Sequence, residues 1–211
     1  MATQLWSLVR FSSAVIGEYT GASAGTQPRI RILIVEDKPV MCAGLTDLLG
    51  EYSEFEVVGA LSDTGSLPAA LRRTRPDVVL TDLRLADGTG VDVCLAVRSL
   101  TPTAQVVVFT AYLDTEAILA VIAAGALGYV LKARAEVCLI QALCLAAKGE
   151  PWLDPEAAGK LLPFLKRAIA CAAGNDSFPV DPTETAALSA FGTGRFVLPF
   201  TEYVGHPSRT H

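Results

Sequence analysis

The chain has 211 residues, 51% of them apolar and 18% charged, with a formal net charge of −5. That is enough apolar material for one good domain plus a smaller appendage, and too much for a disordered chain. The negative balance offers no general attraction to nucleic acid or to an anionic membrane, and no apolar run is long and charge-free enough to read as a transmembrane helix.

Five cysteines (Cys42, Cys94, Cys138, Cys144 and Cys171) are scattered and form no C-x-x-C. They read as small core residues of a reduced, cytoplasmic protein. The only histidines are His206 and His211, in the extreme tail, which argues against a histidine triad or a histidine-rich metal site in the main domain. The chemistry to expect is carboxylate chemistry.

Residues 1–28 lack clear periodicity and are expected to be an unstructured extension or the product of a start codon called too early. Ala22-Ser23-Ala24 superficially resembles a cleavage site, but no basic residue precedes Arg10, so a secretory signal is not expected. The ordered domain, 29–150, opens on Arg31-Ile32-Leu33-Ile34-Val35, a buried-strand pattern that ends in Glu36-Asp37. Pro39 suits a first helical turn, and Val40, Leu45, Leu48 and Leu49 have helical spacing. Phe55 to Ala60 predicts a second strand and Gly65 to Arg75 a second helix. Val78-Val79-Leu80-Thr81, after the turn signal Pro76-Asp77, predicts a third strand that ends in Asp82. Val91 to Leu100 predicts a third helix, with Val91, Leu95, Val97 and Leu100 as core candidates. Gln105 to Thr110 follows as a strand, Asp114 to Ala124 as a helix, Gly128 to Leu131 as a strand and Glu136 to Lys148 as a helix. Five alternations of this kind predict an α/β fold, a flavodoxin-like doubly wound parallel sheet of strand order 2-1-3-4-5.

That order has a chemical consequence. Strands one and three lie side by side at the switch point, so Glu36, Asp37 and Asp82 converge. Two carboxylates ~4 Å apart repel by about 4 kcal/mol at an effective dielectric of about 20. Folding would not gather three unless a cation or a proton neutralised them. An all-oxygen site with open positions suits Mg²⁺. Strand four ends in Thr110, a hydroxyl, and strand five in Leu131-Lys132, an ammonium. Taken singly each residue has a plainer reading: a turn or helix cap for Asp82, a solvated loop for Glu36-Asp37, a cap for Thr110, a surface charge for Lys132. Together, at the ends of four strands, they are the parts that hold the charge of a transferring phosphoryl group.

Residues 30 to about 150 resemble the receiver domain of a two-component response regulator of the NarL/FixJ (LuxR-type) class. The stretches that carry the resemblance are Ile32 to Asp37, Asp82-Leu83-Arg84-Leu85-Ala86-Asp87-Gly88, Phe109-Thr110-Ala111, Ala124 to Lys132, and Lys148-Gly149-Glu150. The resemblance implies that Asp82 accepts a phosphoryl group from a sensor histidine kinase. It implies that Asp37, Asp82 and the backbone carbonyl of Arg84 ligate Mg²⁺, with Glu36 helping through water. Lys132 would pair with the phosphoryl oxygens, Thr110 would swing to bond them, and Tyr129 would turn inward behind Thr110. Ala86 departs from the family's usual proline, which bears on the rigidity of the loop. Such a protein is a phospho-accepting switch and not an enzyme. A haloacid-dehalogenase-like phosphatase also combines Asp, Thr, Lys and Mg²⁺, but its Asp follows the first strand with a second Asp two residues on, where this chain has Arg84.

Helices four and five carry no charge over Ala117–Ala124 and Val137–Ala147. A helix apolar all round expects cover on every side. The face formed by helix four, strand five and helix five is therefore expected to be covered by a second subunit, as a homodimer, or by the chain's own tail. The tail divides into a helical linker, 151–177, and a remnant of a LuxR-type helix-turn-helix domain, 178–211. Pro151-Trp152-Leu153 reads as linker. A helix opens at Asp154-Pro155-Glu156 and is interrupted by Pro163, with Leu161, Leu162, Phe164 and Leu165 free to dock on the receiver. Gly174 to Pro179 reads as a loop, and Asp181-Pro182-Thr183-Glu184 resembles a capping box. After Gly194 only 17 residues remain, and Phe178–His211 holds two arginines against three acids. That balance argues against direct sequence-specific DNA binding unless a partner supplies it, and the tail reads as truncated or frame-altered. An intact DNA-binding transcriptional regulator is the alternative.

Overall fold

The computed structural model describes residues 28–172. The expected N-terminal extension, the expected loop from Gly174 and the expected helix-turn-helix remnant lie outside those residues. The chain begins with β1 (Ile30–Val35), α1 (Pro39–Gly50), β2 (Phe55–Leu61), α2 (Leu67–Thr74) and β3 (Val78–Thr81). A small hairpin follows, β4 (Arg84–Leu85) and β5 (Gly88–Thr89), then α3 (Gly90–Leu100), β6 (Gln105–Thr110), α4 (Thr115–Ala124) and β7 (Gly128–Leu131). A 3-10 turn (Lys132–Arg134), α5 (Ala135–Ala147), β8 (Trp152–Leu153) and α6 (Pro155–Ala172) complete the described chain.

The main sheet is parallel, in the order β2-β1-β3-β6-β7-β8. This is the expected 2-1-3-4-5 arrangement with one strand added at its edge. The strands read as near-continuous apolar runs because helices cover both faces. In β1 the residues alternate between two cores. Ile30, Ile32 and Ile34 pack with Leu45 and Leu49 of α1 and Leu139 and Leu143 of α5. Leu33 and Val35 pack with Leu71 of α2, Val93 and Val97 of α3, Ile118 of α4 and Leu161 of α6. Among the described residues no helix is long and apolar enough to cross a membrane.

Several expectations are corrected. Leu95 and Leu100, expected in the core, are exposed. The inward face of α3 is set by Val93, Cys94 and Val97, which turns Leu95 and Leu100 outward. Trp152-Leu153 is a strand and not a linker: it pairs with Gly128-Tyr129, and the amide of Asp154 donates to the carbonyl of Tyr129 (2.8 Å). Two residues are too few to show a period of two, so the pattern was silent there. α6 runs through Pro163, which is exposed, while Leu161 and Phe164 on either side are buried. Tertiary packing of that apolar stripe outweighs the proline. The N-terminus of α6 is capped by Asp154 Oδ1, which accepts from the amide of Glu156 (2.9 Å).

α6 also answers the question of cover. Ala157, Leu161 and Phe164 are buried in the core that contains Ile118, Leu119 and Ile122 of α4. The α4 part of the expected dimer face is thus occupied by the chain's own tail.

Gly90 opens α3 against the loop after β3. A Cβ there would stand 3.0 Å from the carbonyl oxygen of Asp82 and 3.2 Å from the Cα of Leu83. Both are backbone atoms and cannot rotate away. Gly90→Ala is expected to lower stability by about 1–3 kcal/mol, measured by urea unfolding, through overpacking at this contact.

Candidate functional site

Asp82 follows β3, and its amide donates to the carbonyl of Val35 at the end of β1 (3.1 Å). That bond extends the β1–β3 ladder past the Val35–Thr81 pair, at the point where the strand order reverses. Glu36 and Asp37 leave β1 beside it. One carboxylate oxygen from each of Glu36, Asp37 and Asp82 lies within 4.8 Å of the others. Glu36 and Asp82 are buried and Asp37 is partly exposed. The set is wholly oxygen, as hard divalent cations prefer, and it stands at the sheet's carboxyl edge.

Lys132, at the end of β7, neutralises part of this charge. Its Nζ donates to Glu36 Oε2 and to Asp82 Oδ2, both at 2.6 Å. Asp82 Oδ1 accepts from the amide of Leu83 (2.6 Å). The carboxylate is therefore held on one oxygen by its own loop and on the other by an ammonium. The ammonium also lies 5.6 Å from the ring centroid of Phe109.

Thr110 ends β6 fully buried, and its Oγ1 accepts from the amide of Tyr112 (3.3 Å). Tyr129 is buried in β7, and its hydroxyl donates to the carbonyl of Tyr112 (2.6 Å). Thr110 and Tyr129 thus both hold the segment that leaves β6. Arg84 stands two residues past Asp82 at the start of the hairpin, with its guanidinium 4.1 Å from the centroid of the Tyr112 ring. The hairpin that carries Ala86 is tied down by its neighbour: Asp87 accepts from the amide and hydroxyl of Thr64 (2.8 and 2.9 Å). All seven residues singled out in the sequence lie in or beside this region.

Two residues were missed. Tyr112 lacks a chemical signal of its own, since it serves through its carbonyl and ring face. Lys38 follows Glu36-Asp37 directly and looks like an ordinary solvated charge. Its Nζ lies 3.2 Å from Asp37 Oδ1 and 3.7 Å from both Glu36 Oε1 and Asp82 Oδ2. The hydrogen bond to Asp37 holds its ammonium above the ordinary lysine range, and the charges of Asp37, Glu36 and Asp82 add to this against partial desolvation.

The response regulator receiver domain profile matches residues 32–144. The chain belongs to the receiver-domain family of two-component response regulators, which are signalling switches and not classical enzymes. It is 36% identical over 139 residues to the DNA-binding transcriptional activator DevR/DosR of Mycobacterium tuberculosis, across 66% of this chain and 64% of that protein. It is 30% identical to the transcriptional regulatory protein LiaR of Bacillus subtilis, across 77% of each. The match to the first of these relatives thus spans slightly less than two thirds of that protein's length. A crystal structure of a LuxR-family two-component response regulator from Aurantimonas sp. SI85-9A1 superposes with a TM-score of 0.62 at 28% identity, covering 67% of this chain and 99% of that one.

Tyr129 gives a pH-dependent prediction. Burial pushes its phenol well above the ordinary range, and the charges of Asp114, Asp82 and Asp154 push the same way. A raised folded value means that the stabilisation is complete below the unfolded value of about 10 and fades as pH rises towards the folded one. Tyr129→Phe is expected to cost about 1 kcal/mol at neutral pH, since the Tyr112 carbonyl loses its donor. Above about pH 10 the gap between variant and wild type should narrow, measured by urea unfolding across pH.

Proposed function

We propose that the chain is a phospho-accepting switch in which Asp82 takes a phosphoryl group from the phosphohistidine of a sensor histidine kinase. The observation that carries this reading is the buried Asp82 carboxylate, held by Lys132 at 2.6 Å beside Glu36 and Asp37 at the sheet's switch point. An Asp82 carboxylate oxygen forms the new O–P bond as the N–P bond of the phosphohistidine breaks, and the imidazole departs with the bonding pair. Lys132 already reaches Asp82 Oδ2 and shifts its bond to a phosphoryl oxygen. Thr110 keeps a hydroxyl proton to donate, because in its bond with the Tyr112 amide it is the acceptor. Thr110 bonding to the phosphoryl group would release the Tyr112 segment, and Tyr129 would follow, since its hydroxyl is bound to the same residue.

Asp37, Asp82 and the Arg84 carbonyl would hold Mg²⁺, with Glu36 acting through water, and the ion would supply positive charge to the phosphoryl oxygens. The oxygen-only donor set within 4.8 Å fits such an ion.

The output is a change at the α4–β7–α5 face. A second copy of the chain would meet α6 there as well, because α6 covers α4. The names of the relatives favour transcription regulation as the end point. Direct DNA reading by this chain has weaker support, since Phe178–His211 holds two arginines against three acids.

The test is labelling with a small phosphodonor and Mg²⁺, read by intact mass. Wild type should gain one phosphoryl group and Asp82→Asn none. Lys132→Met should slow labelling by about 10²-fold or more, as expected for loss of a charge that stabilises the transferring group. Equal labelling of wild type and Asp82→Asn would refute the assignment.

A further inference from the structure

Lys38 is an unusual residue for its place. It is the N-cap of α1, where Ser, Thr, Asp or Asn ordinarily satisfies the first amides, and it makes no side-chain cap. A cation at this end also opposes the helix dipole. The position is a poor choice for α1 and needs a compensating gain elsewhere.

The gain is visible at the other end of the side chain. The Lys38 ammonium is the one group besides Lys132, among the described residues, that forms ion pairs with the Glu36–Asp37–Asp82 cluster. It reaches all three carboxylates within 3.7 Å, whereas Lys132 reaches only Glu36 and Asp82. Its own amide donates to Glu36 Oε1 (3.3 Å), which anchors the backbone below the site. Lys132 directly follows β7 and is nearly buried, but the Lys38 side chain is 62% exposed and has room to leave.

We infer that Lys38 is the resident countercation of the acidic site and competes with the divalent ion for it. An ammonium that pairs with the same three carboxylates opposes a divalent ion among them, because both are cations and the distances are a few ångströms. Ion binding and Lys38 pairing exclude each other, so Lys38 sets how much Mg²⁺ is needed before Asp82 becomes competent. This rests on the Mg²⁺ site proposed above.

The test is Mg²⁺ binding to the full chain by isothermal titration calorimetry, for wild type, Lys38→Met, Lys38→Arg and Asp37→Asn. Lys38→Met should bind Mg²⁺ about tenfold more tightly than wild type, as expected when a unit charge is removed next to a divalent ion at a solvent-screened site. Lys38→Arg, which keeps the charge, should stay near wild type. If wild type and Lys38→Met bind equally and Asp37→Asn loses binding, Lys38 is not a competitor and the metal site stands. If neither wild type nor Lys38→Met binds Mg²⁺, the metal site itself falls and the inference with it.

Discussion

Three carboxylates within 4.8 Å of one another, two of them buried, are the constraint on which this site depends. Uncompensated, each pair at such a distance would repel by about 4 kcal/mol at an effective dielectric of about 20. A small domain has only about 5–15 kcal/mol of net stability to oppose that. The chain answers with Lys132 just after β7 and Lys38 just before α1, whose positive charges offset two of the three negative ones. The residual negative charge is what a divalent ion would meet. The site is electrostatically strained by its own composition, and the two ammonium groups serve to contain that strain.

The sheet decides which residues meet. A parallel sheet delivers every strand's carboxyl end to one edge, and the reversal between β1 and β3 opens a crevice there. Glu36, Asp82, Thr110 and Lys132 each stand one residue beyond a strand or at its end. Their convergence was legible because each strand is an apolar run with a polar residue directly after it, and the order of such runs allows few topologies. Lys38 was not legible, because its role depends on where a long flexible side chain lies and not on a period. Leu95 and Leu100 are exposed rather than buried for a related reason. Apolar spacing marks a helix, but in a chain that is 51% apolar it does not choose between adjacent stripes.

The region after α5 shows how a weak local signal can be settled by tertiary structure. Neither two residues of strand nor a helix containing proline would be expected to stand alone. Both persist here because Trp152 packs into the core on the α1 and α5 side while Leu153, Leu161 and Phe164 pack into the other. Since the Tyr129 carbonyl accepts from the amide of Asp154, the strand that carries the tyrosine is joined directly to the cap of α6. Tyr129 and the start of α6 are therefore linked through a backbone hydrogen bond. The polar contacts of the site and the apolar cover of α4 belong to one connected unit.

The central claim is that the strand-end carboxylates form a cation site. Thermal unfolding over a Mg²⁺ series tests it most directly, with Asp37→Asn for comparison. An ion that binds only the folded chain stabilises it by RT ln(1 + [L]/Kd), or about 2.7 kcal/mol at roughly a hundred times the dissociation constant. The melting temperature of wild type should therefore climb steadily with Mg²⁺, and that of Asp37→Asn should respond little. A wild-type melting temperature indifferent to Mg²⁺ would contradict the account.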